Sequence, residues 1–320
     1  MRTGLLTKVL LGCLLCLLIA MTGCGVNIGS WTMRAKYERT VQLSAPLQPS
    51  STLMAETSFG SIKVTGADVT DCNVIATIRV KAPTEKEAAE ISEQVKVQLE
   101  LDGNTLTVRL EKPCVKKNRS ISVSFNITVP RQVNLECSTS YGSIKLTHII
   151  GDIKAQTSFA SIDIKDIQGQ IQLETSYGGI TCRDITSTSL KAKTSFSSIK
   201  CENVKAPVQL QTSYGSIKCR DLTSGNIIAK SSFGSVDIAC SSSTPPEITA
   251  DVVTSYGSID FVTPPNFSGQ LDLSTSYGSV KTDLPVEITG EISKEKTKGT
   301  IGEGKGKLHL KTSFGSVKIR

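Results

Sequence analysis

The chain has 320 residues, with 36 Lys+Arg against 29 Asp+Glu and a formal net charge of +7. The excess is mild and the two signs are interspersed, which argues against a nucleic-acid partner. Hydrophobic residues make up 38% and aromatics 5%, with one Trp, enough for a core but a poor match to a helical bundle built on Leu and aromatics. Two His residues, His148 and His309, argue against a His-based metal site or a Ser-His triad.

Residues 1–23 read as a signal peptide: Arg2 and Lys8 precede an apolar run from Val9 to Met21, too short to span a bilayer. The run ends in Met21-Thr22-Gly23-Cys24, which resembles a bacterial lipobox. The resemblance implies cleavage before Cys24 and acylation of its thiol, so Cys24 is the expected lipid attachment site. Cleavage removes Arg2 and Lys8 and lowers the net charge by two. The protein is expected to be exported and held at a membrane leaflet of the cell envelope, with residues 24–50 as a lipidated tether. Gly25 after Cys24 leans toward the outer membrane.

Residues 51–130 predict a β-rich N-terminal cap. Thr84 and Glu87 are spaced as a capping box, and Ala88, Ile91 and Val95 line one face of a helix near 85–95. Strand-like runs surround it, and Asp102-Gly103-Asn104 marks a hairpin turn.

From Thr57 onward an octapeptide recurs: Thr57-SFGSIKV, Thr139-SYGSIKL, Thr157-SFASIDI, and seven further copies ending in Thr312-SFGSVKI. From Tyr141 the spacings are 18, 18, 19, 18, 19, 23, 21 and 37. A short, regular period is the mark of a solenoid. Alternation within each copy predicts extended strands, with a bend at the small residues after the aromatic and a second corner where parity flips again, as at Ile167. Gly at the first bend is expected to supply a positive φ. The fold class is therefore all-β: a parallel β-solenoid of 18–19 residues per coil over residues 131–320, closed at its N-terminal end by the cap.

The chain resembles the bacterial putative-adhesin family of β-strand-repeat domains of unknown function. The resemblance rests on Glu85-Lys86-Glu87-Ala88-Ala89, on Asp102-Gly103-Asn104-Thr105-Leu106-Thr107-Val108, and on Ile127-Thr128-Val129-Pro130 leading into the first Gly-Ser-Ile rung. It implies an exported β-solenoid with an adhesive or surface role and supplies no catalytic residues.

Four sets of residues carry the candidate chemistry. Cys182, Cys201 and Cys219 share one slot in consecutive coils. A thiolate metal site or a disulfide is one reading; the aliphatic occupants of that slot elsewhere favour a core column. Among Cys72, Cys114, Cys137 and Cys240 one disulfide is plausible outside the cytoplasm. The aromatics Phe59, Tyr141, Phe159, Tyr177, Phe196, Tyr214, Phe233, Tyr256, Tyr277 and Phe314 form a column whose parity, shared with Ile and Leu, predicts that it points inward. Outward, it could stack on sugars or pack a partner. The residues after each Ile or Val, among them Lys200 and Lys218, face opposite to the core in mixed sign. Tyr214, Lys200 and Lys218 are thus the candidate binding surface.

Lys294–Lys307 reads as a basic loop, and its glycines lack the setting of a phosphate loop. The last rung ends at Arg320 with no cap after it, so its open edge is expected to invite self-association. Neither a cofactor nor a metal is expected. The function these features favour is a non-enzymatic, lipid-anchored envelope protein with an adhesive or scaffolding solenoid, meeting envelope glycans or other surface proteins. The alternatives are a polysaccharide-acting β-helix enzyme, for which Asp237 and Asp260 are the one acid pair worth testing, and an envelope-signalling sensor.

Overall fold

The computed structural model describes residues 35–320, with the backbone alone at 288–292. The signal segment, Cys24 and the first part of the tether lie outside the described residues. Within them the chain forms 27 strands in two sheets, of 13 and 14 strands, and one helix.

One coil shows how the repeat builds both sheets. Ile153–Gln156 lies in the 14-stranded sheet, residues 157–161 turn the chain, and Ile162–Gln168 runs in the 13-stranded sheet. Each strand pairs parallel with its copy in the next coil, Ile153 with Ile171 and Ile162 with Ile180. Identical positions therefore stack into columns. Ile144, Ile162, Ile180, Ile199 and Ile217 form one fully buried column between the sheets. A buried aliphatic side chain of this kind contributes about 1.5–3 kcal/mol, and the register places one such set in every coil.

The second parity flip is a bulge within a strand, not a corner. Lys165 and Asp166 both point outward, and the strand continues to Gln168. Asp166 has φ 54°, and its copies His148, Asp184, Asn203 and Asp221 lie between 50° and 61°. Asp and Asn tolerate this left-handed conformation because their short side chains hydrogen-bond locally. The bulge leaves the following aliphatic residue, Ile167, inside. Arg183-Asp184 and Arg220-Asp221 recur because this bulge recurs.

At the first bend the glycines serve a different need from the one expected. Gly142, Gly178, Gly215 and Gly234 are not in the positive-φ region. What they permit is close approach: a Cβ on Gly215 would stand 1.8 Å from the Ser197 carbonyl oxygen in the preceding coil.

The cap is an insertion between the first coil and the rest. The first coil, Thr52–Thr57 and Ile62–Ala67, pairs on one side with the coil at 134–150 and on the other with strands Thr105–Glu111 and Ser120–Pro130. Antiparallel strands Asp71–Ala82 and Lys96–Asp102 extend the two sheets beyond it. Residues 35–46, expected within the tether, form a twelve-residue strand along Asp71–Ala82 instead. The helix spans Glu85–Gln94, with Thr84 accepting the Glu87 N–H at 3.2 Å. Arg39 ties the edge strand to the helix end, donating to the Ser92 and Val95 carbonyls at 2.7 Å each.

The C-terminal end differs from the sequence expectation. The last strand, Val317–Ile319, is not an edge: it lies between Ile259–Val262 and Val280–Thr282 and pairs with both. The edge of that sheet is the three-residue strand Val280–Thr282. In the other sheet, Lys296–Ile301 is a strand antiparallel to Gly269–Ser274, not a loop, and Glu287–Ile292 pairs outside it. A late copy of the repeat has thus been inserted between two earlier ones, because sheet order follows hydrogen-bond partners rather than chain order. The C-terminal rung expected as the open edge is closed on both sides.

Candidate functional site

The column of aromatic rings lies outside the core, along the edge where the chain passes between the sheets. All ten rings are between 44% and 69% exposed, where parity had predicted burial. Period-two alternation holds only while the backbone stays extended, and the strand ends before the ring: Gln156 is the last strand residue before Phe159. The residue that points inward is the Thr two positions earlier. Thr157 is buried, and its hydroxyl donates to the Gly142 carbonyl of the preceding coil at 3.0 Å. Thr139, Thr175, Thr194, Thr212, Ser231 and Thr254 make the same bond at 2.8–3.1 Å. This hydroxyl column was not read from the sequence, although the repeated Thr or Ser at the head of every copy is its signal.

With the turn so fixed, the rings stack. Nine successive pairs run from Phe59 through Phe233 and Tyr256 to Phe314 and Tyr277, with centroids 4.6–5.1 Å apart and planes within 8° of parallel. That separation is the rung spacing of a β-sheet. Each inner ring therefore has both faces covered by neighbours and shows solvent its edge. The edge is a narrow apolar ribbon, with phenolic hydroxyls wherever the ring is Tyr.

Tyr214 is part of this ribbon, 55% exposed. Lys218 follows four residues later on the 13-stranded sheet, in register beside Lys200, and both are exposed. The three residues share one border of the solenoid. The column holding the two lysines is mixed in sign: Lys218 neighbours Asp237, and Lys145 neighbours Asp163.

Asp237 and Asp260 are also register neighbours. Arg320 donates to Asp260 from Nε to Oδ1 at 3.2 Å and from Nη2 to Oδ2 at 2.6 Å. The guanidinium thus occupies both carboxylate oxygens of Asp260 in a fork. The two His residues pair with single carboxylates, His148 with Asp166 at 2.6 Å and His309 with Asp251 at 2.9 Å.

Cys182, Cys201 and Cys219 are buried register neighbours within the aliphatic columns. Hydrogen bonding to Cys201 and burial push the Cys182 and Cys219 thiols up. The other four do not pair into the disulfide thought plausible: Cys72 and Cys137 are buried, Cys240 is partly buried and Cys114 is exposed, all as free thiols. Burial pushes Cys72, Cys137 and Cys240 up to about 12. No cluster of three or more His, Cys, Asp or Glu among the described residues is placed to hold a metal ion. No helix among them is long and apolar enough to cross a membrane.

One solved structure shares the fold at a TM-score above 0.5. A putative adhesin from Parabacteroides merdae ATCC 43184 is similar at 10% identity and a TM-score of 0.51, over 88% of this chain and 96% of that one. A putative lipid binding protein from Parabacteroides distasonis ATCC 8503 is similar at 13% identity and a TM-score of 0.45, over 88% and 96%. A putative adhesin from the same organism is similar at 11% identity and a TM-score of 0.41, over 88% and 97%. No curated protein matches the sequence. The family model described as Toastrack DUF4097 matches residues 58–320, from the first Ser-Phe-Gly turn through the last strand, and the chain belongs to that family.

Proposed function

We propose that this is a non-enzymatic, lipid-anchored protein of the cell envelope whose solenoid serves as an adhesive or scaffolding surface. The observation that carries the reading is the unbroken column of ten half-exposed rings along one border. Exposed apolar surface that is continuous, rather than scattered, is a usual mark of a contact site. Here it is also rigid, because each ring is held between its neighbours and sits on a hydrogen-bonded turn, so little conformational entropy is lost when a partner docks. The lysines beside Tyr214 would add charge at the rim, where it acts on encounter rate more than on affinity. The resemblance in fold to a protein named as a putative adhesin is consistent with this use. The engagement of Asp260 by Arg320 speaks against the acid pair of the enzymatic alternative.

The test is adhesion of cells displaying the full chain to envelope glycans and to intact cells. Saturable adhesion that falls when Tyr214 and Phe196 are both changed to Ser supports the reading. Adhesion indifferent to that change overturns it. The anchor is tested separately: inhibition of signal peptidase II, or Cys24→Ala, should leave an unprocessed precursor, and normal processing would refute lipidation.

A further inference from the structure

The ring column has an end at the cap, and that end differs from its middle. Phe59 has one stacked neighbour, Tyr141, at 4.7 Å. The next strand in the sheet, Ser120–Pro130, pairs Phe125 with Ile62 and brings no Thr-Ser-aromatic turn to the level beyond Phe59. Among the described residues no ring covers that side of Phe59, and Phe59 lines a cavity of about 740 Å³ between the column and the cap. A volume of this order is typical of small-ligand sites.

The cavity's polar lining is one-sided in charge. Arg79, Lys81, Lys112 and Arg119 contribute to it, and no carboxylate among the described residues does. Two of the four are already engaged outside the lining: Arg79 donates to Glu38 at 3.0 Å and Arg119 to Glu87 at 2.6 Å. Lys81 and Lys112 form no ion pair among the described residues. Lys112 is half-buried, and the desolvation holds its ammonium below the ordinary lysine range. An anion beside it would offset that cost. Ser120 and Ser122 add hydroxyls that can donate or accept.

We propose that this cavity binds an acidic sugar unit of an anionic glycan, with the C–H face of the pyranose against Phe59, the carboxylate on Lys81 and Lys112, and ring hydroxyls on Ser120 and Ser122. The inference deepens the adhesive reading and rests on it: the column is the extended contact surface, and its cap end selects for charge. An uncharged sugar would leave the partly desolvated Lys112 ammonium without a partner. An inner ring cannot replace Phe59, because both of its faces are covered.

The test is calorimetric titration of the full chain with a tetramer of galacturonic acid, with maltotetraose as the uncharged probe. The acidic tetramer should bind saturably, more weakly as salt is raised, and maltotetraose should bind at least about tenfold more weakly. Phe59→Ala and the double change Lys81→Ala, Lys112→Ala should each reduce affinity about tenfold or more. Leu101→Ala, exposed on the cap but outside the cavity lining, should stay within about twofold. Because all of these side chains are at least partly exposed, far-ultraviolet circular dichroism of each variant should match the parent. Equal binding of the two tetramers, equal losses in Phe59→Ala and Leu101→Ala, or no binding of the acidic tetramer each overturn the proposal. Should cells adhere through the column while the acidic tetramer fails to bind, the charged site falls and the adhesive surface stands. Should the tetramer bind while cells do not adhere, the site stands alone.

Discussion

The central coils and the cap are built from the same two sheets, yet they hold together in different ways. In the coils every position is a column: one aliphatic slot, one buried hydroxyl, one ring, one left-handed Asx, each repeated at the rung spacing. In the cap the strands turn antiparallel, and the contacts occur once, as with Arg39 on the helix end and Arg119 on Glu87. A change in a column disturbs two neighbours of its own kind, whereas a change in the cap disturbs one partner. The comparison teaches that function should be sought along the columns as an extended surface and at the cap as a localised site, where the repetition stops.

The largest effect should come from closing the space between coils. Gly215→Val places a branched side chain where even a Cβ stands 1.8 Å from a carbonyl. It should cost about 3 kcal/mol or more, read by denaturant unfolding. A cost below about 1 kcal/mol would mean that the coils can slide apart and that columns are not rigid. Next comes the hydroxyl column. Thr194→Val, nearly the same in shape, removes the bond to the Gly178 carbonyl at 2.8 Å and should cost about 1–3 kcal/mol. In the cap, Arg119→Ala breaks a partly buried ion pair with Glu87 and should cost about 1–2 kcal/mol. Arg183→Ala in the coils, where Asp163 and Glu202 are exposed partners, should cost less than about 0.5 kcal/mol. Reversal of the last two would break the comparison, since it would make the outer face of the coils an energetic network.

The broadest effect is alkaline, and it grows with pH. Cys72, Cys137 and Cys240 keep their protons up to about pH 12 in the folded state, while an unfolded thiol loses its proton near pH 8.5. Between those values the unfolded chain binds fewer protons than the folded one, so stability falls as pH rises through the window. Below it the contribution is fully present. Unfolding midpoints measured from pH 8 to 11 should decline, and Cys137→Ala should flatten part of that decline. Within the native state, Cys114 should react with alkylating reagents at pH 8 well before Cys137 does.

Much of the solenoid was legible because each of its coils is a local event repeated. Ile153, Ala155, Ile162 and Ile164 alternate as strand residues do, and they are buried as that alternation requires. Thr84 and Glu87 marked the helix start, since capping needs only residues three apart. The rings were misread because parity was carried past Gln156, where extended backbone ends. The bulge at Asp166 was taken for a corner because a parity flip has the same appearance in either case. Of the proposed sugar site, only Phe59 stood out in the sequence, as a member of the ring column. That Ser120 and Ser122 face it was not visible, because some sixty residues separate Phe59 from Ser120.

By itself the sequence determined the repeat, the coil, the buried aliphatic columns and the mixed outer face. All of these follow from side-chain period and from the identity of neighbouring copies. Only the tertiary structure decided which way the rings point, which strand closes the C-terminal end, and what stands beside the last ring at the cap. These depend on where the backbone leaves the extended conformation and on which distant strands become hydrogen-bond partners. Local periodicity carries no information about either.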